Sequence, residues 1–399
     1  GEDKTEDNLV ISSGTQCVPI TGVHCYSSKD LYNWKDEGVV LPVFNNPQFA
    51  DGTAASDDLP LYVSEASDVY QNSPLQTYQD YAAARPGAVP DTGTTKAPTN
   101  TLDKHNSAER ISELNALYDG YTYAEKQQMY YDFNWNKVVE RPKVVYNENT
   151  GKYVMWWHHD GPKAGSYATA AGGVAISDSP AGPFKYLGVG RLPNDGSTQS
   201  SQQGMLRDMT LYVDTDKTGY LIYSSEENMT TIIMKLDETY TKPATNDEGK
   251  SVLGEHWIRA HTNGRESPAI FEQDGVYYMV TSGLTGWSPN PAKYHVSETG
   301  IMGTWVDKGD PCIDDVNKNT FQSQSTFTLP YRDKDGNIVP GKFIFMADRW
   351  KASNLKDSRY IWLPIELDTK NKTIAIRYSD EWKFADVFEE EVVPDVTWY

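Results

Sequence analysis

Three carboxylate residues and one glutamine recur in this chain at the same place in a repeated pattern. Glu140 lies in Glu140-Arg141-Pro142 ahead of KVVYNENTGKYVMWW, and Asp208 follows Arg207 ahead of MTLYVDTDKTGYLIYSS. Glu266 lies in Arg265-Glu266-Ser267-Pro268 ahead of AIFEQDGVYYMVTS, and Gln324 ends Gln322-Ser323-Gln324 ahead of STFTLPYRDKDGNIVPGKFIFMA. Glu2, near the start of the chain, is a further candidate. Carboxylates at such positions are costly to bury unless they are paired or useful. Several of them converging, with many aromatic residues and no lysine-rich wall, suit a neutral carbohydrate. Glycoside hydrolysis needs a protonated acid at the leaving oxygen and a second group on the opposite face. The acid must hold its proton through burial or a nearby negative charge. Glu266 has that setting, and Asp208 could supply the charge. The same residues, with Arg141, Arg207 and Arg265 beside them, also read as ion pairs that lock neighbouring units together.

The positions of these groups follow from the repeat. Arg141, Arg207, Arg265 and Gln324 lie 66, 58 and 59 residues apart. Each copy reads as strand, tight turn, strand, with turns such as Asn149-Thr150-Gly151 and Asp274-Gly275 whose residues accept positive φ. A second element recurs as SSKDLYNWKDEG from Ser27, SDSPAGPFKYLG from Ser177 and SETGIMGTWVDKG from Ser297. It reads as an outer hairpin, with Trp34, Phe184 and Trp305 packing between units. A period of about 60 residues built from strands predicts a β-propeller. The count is five blades, the first having an inner strand that is missing or confined to the first few residues. The whole chain, 1–399, is expected to be one catalytic domain.

Residues 45–134 break the period and are rich in Pro, Gly, Ser, Thr and Asp. They are read as a partly helical insertion lying on the surface. One helix is expected after Asn106, with Glu109 three residues on, and another after Thr122, with Glu125 three residues on.

Composition narrows the partners. A net charge of −20 argues against a nucleic-acid groove. Three cysteines give no disulfide framework, although Cys17 and Cys25 could pair across adjacent strands. No apolar run approaches the roughly 20 residues that span a bilayer. His158-His159-Asp160 lacks the spacing of a closed metal site, and hydrogen-bonded structural histidines are the expectation. Trp156 and Trp157 read as core residues. Asn228 and Asn371 head Asn-X-Thr sequons, which matter only in a glycosylating source.

Nine segments in order resemble family 43 glycoside hydrolases, and within them the exo-β-1,3-galactanases: RPKVVYNENTGKYVMWWHHD, GVAISDSPAGPF, RDMTL, YLIYSSEEN, ESPAIF, TSGLTGWSPNP, SQSTF, DRW and SRYIWLP. The resemblance spans most of 1–44 and 135–385 and leaves out the insertion. It implies a five-bladed propeller that releases galactose from the β-1,3-galactan main chain of arabinogalactan with inversion. By position it makes Glu266 the general acid, Asp208 the aspartate that tunes and holds it, and Gln324 the glutamine found where a base is expected. Glu140 would contact the central sugar. Glu2, Arg141, Tyr167, Glu226, Glu227, Thr285, Trp287 and Trp350 would complete the substrate site. A neutral amide is a poor base, so Gln324 either positions the water or leaves the proton to Glu140 or Glu2.

No cofactor is required by this chemistry, although some family members hold a Ca²⁺ near the propeller axis. A monomer is expected, in a secreted, periplasmic or cell-surface location, acting on oligosaccharide and not on nucleic acid or inserted in a membrane. Relatives carry a strand before Gly-Glu-Asp, so the first blade is expected to lack part of its inner edge. The sequence leaves two rival readings. One is another family 43 activity, an α-L-arabinofuranosidase, β-xylosidase or galactofuranosidase, which typically uses an aspartate base in place of the glutamine. The other is a non-catalytic galactan-binding propeller.

Overall fold

The computed structural model describes residues 20–44, 57–58, 60–62, 106–134, 137–161, 167–333, 335–351, 357–384 and 387, together with the backbone of three short strands before residue 18. The chain divides into two compact units, one of residues 1–29 and 33–191, the other of 30–32 and 192–399.

Among its described residues the first unit holds two larger sheets and a two-stranded ribbon. In one, β1 (Glu2–Lys4), β4 (Ile20–Ser27) and β5 (Lys35–Pro42) form an antiparallel three-stranded sheet, while β2 (Leu9–Val10) and β3 (Gln16–Cys17) make a separate ribbon. The other is a four-stranded meander of β6 (Val138–Asn147), β7 (Lys152–Asp160), β8 (Ala171–Ser177) and β9 (Lys185–Gly190). The short inner strand expected in the first few residues is β1, with Glu2 opposite Val23. The side chain of Glu2 lies outside the described residues.

Both helices of the 45–134 segment form. Helix α1 (Ala108–Ala116) is capped by Ser107, one residue later than expected, because its hydroxyl accepts from Arg110 N–H. Helix α2 (Tyr123–Asp132) begins at the expected Thr122 with a reciprocal capping box to Glu125. Two orphan amides are thus satisfied at its first turn. The surface reading of this segment is corrected here for its described part. Ile111, Leu114, Tyr118, Tyr130 and Phe133 join Val40, Leu41, Phe44, Trp157 and Phe184 in one buried cluster. Phe44 meets Tyr118, Phe133 and Tyr186 edge-on at 5.4–5.9 Å. The apolar positions fall in short helices separated by polar turns, so no long period advertised them. Trp157 fits there because Gly173 faces it: a β-carbon at that residue would stand 2.0 Å from the indole.

Among its described residues, three sheets make the second unit. The first is β10 (Met209–Val213), β11 (Gly219–Ser225), β12 (Thr230–Lys235) and β13 (Trp257–His261). The second is β14 (Glu266–Gln273), β15 (Val276–Ser282), β16 (Lys293–Ser297) and β17 (Val306–Gly309). In the third, β18 (Cys312–Ile313) pairs in parallel with β22 (Thr373–Arg377), which continues through β21 (Arg359–Asp368) and β20 (Ile338–Arg349) to β19 (Gln324–Arg332). The first strands β10 and β14 are in contact, as are β14 and β19. Ile222 and Ile233 pack on Ile270, Met279 and Trp305, and Phe271, Tyr278 and Val280 pack on Phe343, Phe345 and Leu363.

Phe184 and Trp305 therefore sit between sheets as expected. Trp34 does not: it is 45% exposed. Trp156 and Trp157 are buried. Cys25 and Cys312 are free thiols, and the side chain of Cys17 lies outside the described residues. Among the described residues, no helix is long and apolar enough to cross a membrane.

Leu114→Ala tests the correction to the 45–134 segment. Leu114 is fully buried, so the variant should lose about 2–5 kcal/mol by denaturant titration. A surface elaboration would lose under about 0.5 kcal/mol.

Candidate active site

In the second unit, the polar groups stand where their first strands start. Glu266 is the first residue of β14 and Gln324 the first of β19, and Asp208 immediately precedes β10. Glu266 pairs with Ser282 across the ladder, but the next regular pair is Ala269 with Val280. Ser267 between them has φ 55°, forming a bulge. Its hydroxyl donates to Asp208 Oδ2, and its carbonyl accepts from Ser325 Oγ at 2.7 Å. Asp208 is thereby tied to the residue next to Glu266. Glu266 Oε1 accepts from Asn228 Nδ2 at 2.6 Å. In the sequence Asn228 only heads a sequon and Ser267 only follows Glu266. Nothing in their local sequence marks them, since their partners lie 38 and 59 residues away.

Gln324 is 9% exposed and its amide is held at both ends. Nε2 donates to Ser282 Oγ at 2.9 Å, and Oε1 accepts from Trp350 Nε1 at 2.9 Å. Trp350 in turn meets Trp287 edge-on at 5.3 Å. The indole, which can only donate, fixes which end of the amide is oxygen. Thr285, on the exposed loop that also carries Trp287, donates to Ser288 O and accepts from Asn290 Nδ2 at 2.6 Å.

The arginine beside Glu266 is not an ion-pair lock. Buried Arg265 donates to Thr281 Oγ1 at 2.9 Å and to the Thr281 carbonyl at 2.8 Å. Burial pulls its pKa down to about 10, still cationic at neutral pH. Arg207 does form a pair, with Glu227 at 2.7 Å. Glu226 turns inward: Oε1 accepts from Arg259 Nη2 at 2.9 Å and Oε2 from Thr230 Oγ1.

In the first unit, Glu140 sits within β6 at a matching bulge. Its pair is His158, the next regular pair is Lys143 with Trp156, and Arg141 has φ 55°. Arg141 is buried and its carbonyl accepts from Lys143 Nζ at 3.4 Å. Glu140 Oε1 accepts from Tyr167 OH at 2.8 Å, and Oε2 faces His158 Nδ1 at 3.1 Å. Nε2 of His158 faces Asp160 Oδ2 at 3.2 Å. Asp160 also takes the amides of Gly161, Thr169 and Ala170 at 2.9–3.0 Å. His158 thus meets two carboxylates, and His159 accepts from Trp157 Nε1 at 3.4 Å.

Inner-strand starts that present a carboxyl group, an aspartate and a clamped amide, on antiparallel sheets of this kind, are the arrangement that glycoside hydrolysis requires. The family model of the glycosyl hydrolases of family 43 matches residues 142–326. No curated protein matches the chain. Among solved structures, a family 43 β-1,3-galactosidase with galactodeoxynojirimycin is 28% identical at TM-score 0.59, covering 96% of this chain and 100% of that one. An exo-β-1,3-galactanase from Clostridium thermocellum is 32% identical at TM-score 0.52, covering 61% of this chain and 49% of that one. The exo-β-1,3-galactanase of Phanerochaete chrysosporium with β-1,3-galactotriose is 21% identical at TM-score 0.54, covering 94% and 66%, and speaks to the fold alone.

The His158 group makes stability depend on pH. Burial opposes its charge, but hydrogen bonds to Asp160 and Glu140 outweigh burial and raise its pKa to about 9. A raised histidine contributes stability fully below its unfolded pKa of about 6.5 and loses it as pH climbs through the folded value. Denaturant midpoints should therefore fall between pH 7 and about 9.5, and His158→Gln should flatten that decline. An equal decline in the variant would show that another group is responsible.

Proposed function

We propose that the chain is an exo-acting galactan 1,3-β-galactosidase that removes galactose from β-1,3-galactan by single displacement with inversion. One observation carries the reading. A carboxyl group at one inner-strand start and an amide clamped with its oxygen end defined at the next occur in a chain that the family 43 model matches and that aligns along its length with a β-1,3-galactosidase.

In this mechanism Glu266 gives its proton to the glycosidic oxygen as the bond to the anomeric carbon breaks, and the bonding pair stays on that oxygen. A water hydrogen-bonded to Gln324 Oε1 attacks from the opposite face and sheds its proton to solvent. The indole of Trp350 holds Oε1 in place, so the amide acts as an acceptor that orients water. Asp208 holds the Glu266 bulge through Ser267 and supplies negative charge that favours the protonated acid. Glu140 contacts sugar. Both of its oxygens already meet Tyr167 and His158, which makes it a poor choice of base and leaves the water to Gln324. Trp287 and Trp350 supply apolar faces, and Tyr167 a hydroxyl. The remaining expected contacts are Glu2, Arg141, Glu227 and Thr285, whereas Glu226, also expected there, is taken up by Arg259 and Thr230.

We further infer that the two units form one catalytic domain, a five-bladed propeller in which the sheet headed by β1 is the shortened first blade. A monomer acting outside the cytoplasm on arabinogalactan, with no cofactor, fits this chemistry.

Product analysis on β-1,3-galactobiose should show galactose appearing first as the α anomer by NMR. Initial β-galactose would exclude inversion, and pentose release from aryl pentosides without galactose release would favour the pentosidase reading. Glu266→Gln should lower kcat by about 10²–10⁴-fold while remaining folded. Binding of galactan without hydrolysis by the unaltered chain would instead identify a non-catalytic propeller. Gln324→Ala should cost about 10²-fold or more, and Trp350→Phe, which removes only the indole donor and part of the ring, a smaller factor. Wild-type turnover in Gln324→Ala would remove the glutamine from the mechanism.

A further inference from the structure

Resting on the reading of Glu266 as proton donor, we infer that Asn228 is its positioning residue: the amide N–H held on Oε1 assigns the transferable proton to Oε2. In a neutral carboxyl group the carbonyl oxygen is the better acceptor. An N–H fixed 2.6 Å from Oε1 therefore makes Oε1 the carbonyl and Oε2 the hydroxyl. Without that contact both oxygens could carry the proton, and the side chain could turn the wrong one toward the substrate.

Two features show that the surroundings serve this contact. The first is the backbone. Glu226, Glu227 and Asn228 have φ of 55°, 58° and 63°, three consecutive left-handed residues without a glycine. Such a run is unfavourable and persists only where neighbours over-determine it. Here Glu226 is the anchor. Arg259 donates to it from Nε at 3.2 Å and Nη2 at 2.9 Å, and Thr230 closes the other oxygen. Arg259 is itself fixed by a two-pronged pair to Asp195 at 2.9 and 3.0 Å and by Ser197 Oγ at 3.0 Å. That pairing holds the Asp195 carboxyl well below the usual range. Beyond the turn, Gly264 N–H donates to the Met229 carbonyl at 3.1 Å, joining it to the segment that leads into Glu266.

The second feature is the other end of the amide. Asn228 Oδ1 is buried and has no hydrogen-bond partner among the described residues. A side chain selected for stability alone would satisfy both ends, because an unmet buried acceptor is costly. The orientation of this amide is set by Glu266.

Kinetics on two substrates test the assignment. β-1,3-Galactobiose needs the acid's proton, whereas a dinitrophenyl β-galactoside has a leaving group that needs little help. Asn228→Ala should lower kcat on galactobiose by roughly 10- to 100-fold and on the aryl substrate by less than about threefold. The alkaline limb of kcat/KM on galactobiose should move upward by roughly one pH unit. The sign follows because the lost N–H had favoured the ionised carboxylate, and activity needs the protonated form. Arg259→Met, which disturbs the turn without touching Asn228, should shift both readings the same way by less, and Arg259→Lys should restore part of them. Equal losses on both substrates with an unmoved limb in these variants, or wild-type kinetics in Asn228→Ala, would overturn the inference. Galactobiose turnover surviving in Glu266→Gln would instead remove the proton-donor reading on which it rests.

Discussion

A one-residue bulge at the start of an inner strand is the constraint from which the site hangs. A regular strand alternates its side chains between two faces and cannot turn one aside. At Glu266 the ladder is broken by Ser267 at φ 55°, and at Glu140 by Arg141 at φ 55°. Both breaks are followed by proline, Pro268 and Pro142, which has no N–H to give a ladder. The pairing is thus interrupted where the chain could not have completed it. The bulge re-aims the carboxylate and exposes backbone groups that other side chains can hold. The ladder from Gln324 shows a related irregularity between Ser325 and Phe327, without the proline.

Hydroxyl groups at the ends of neighbouring strands do much of that holding in the second unit. Ser224, near the end of β11, donates to the Arg265 carbonyl at 2.9 Å. Ser282, the last residue of β15, receives Gln324, and Ser325 reaches back to Ser267. Each sheet therefore staples the first strand of the next. Short hydroxyl side chains suit the task because they give one directed hydrogen bond with little rotamer freedom to lose. The recurrent Ser-Ser and Thr-Ser endings of the second strands thus read as part of the site, although they are far from any reacting atom in sequence.

The repeat made the strands and the placement of Glu140, Asp208, Glu266 and Gln324 legible, because strand alternation and turn residues act over a few positions. It also placed the outer hairpins, and Phe184 and Trp305 between sheets. Less was legible where partners are distant. Nothing local predicts that Asn228 meets Glu266, that Glu226 is spent on Arg259, or that Trp350 fixes Gln324. The packing role of residues 106–134 was missed for a related reason. Two short helices with modest apolar faces look like surface chain until Phe44, Trp157 and Tyr186 are seen to close over them. Trp34 erred in the other direction: its place in a repeated motif suggested burial that its own turn does not provide.

The nitrogen that Asn228 offers to Glu266 is also the atom an oligosaccharyltransferase would modify, since Asn228-Met229-Thr230 is an acceptor sequon. A glycan attached before folding would substitute that nitrogen and place a bulky polar tree beside Glu266, in a turn that has no slack in its backbone. The choice of expression host is therefore a chemical choice for this chain. Material from a secretory pathway that glycosylates would carry the modification wherever this sequon is used, whereas a host without that machinery leaves the nitrogen to Glu266.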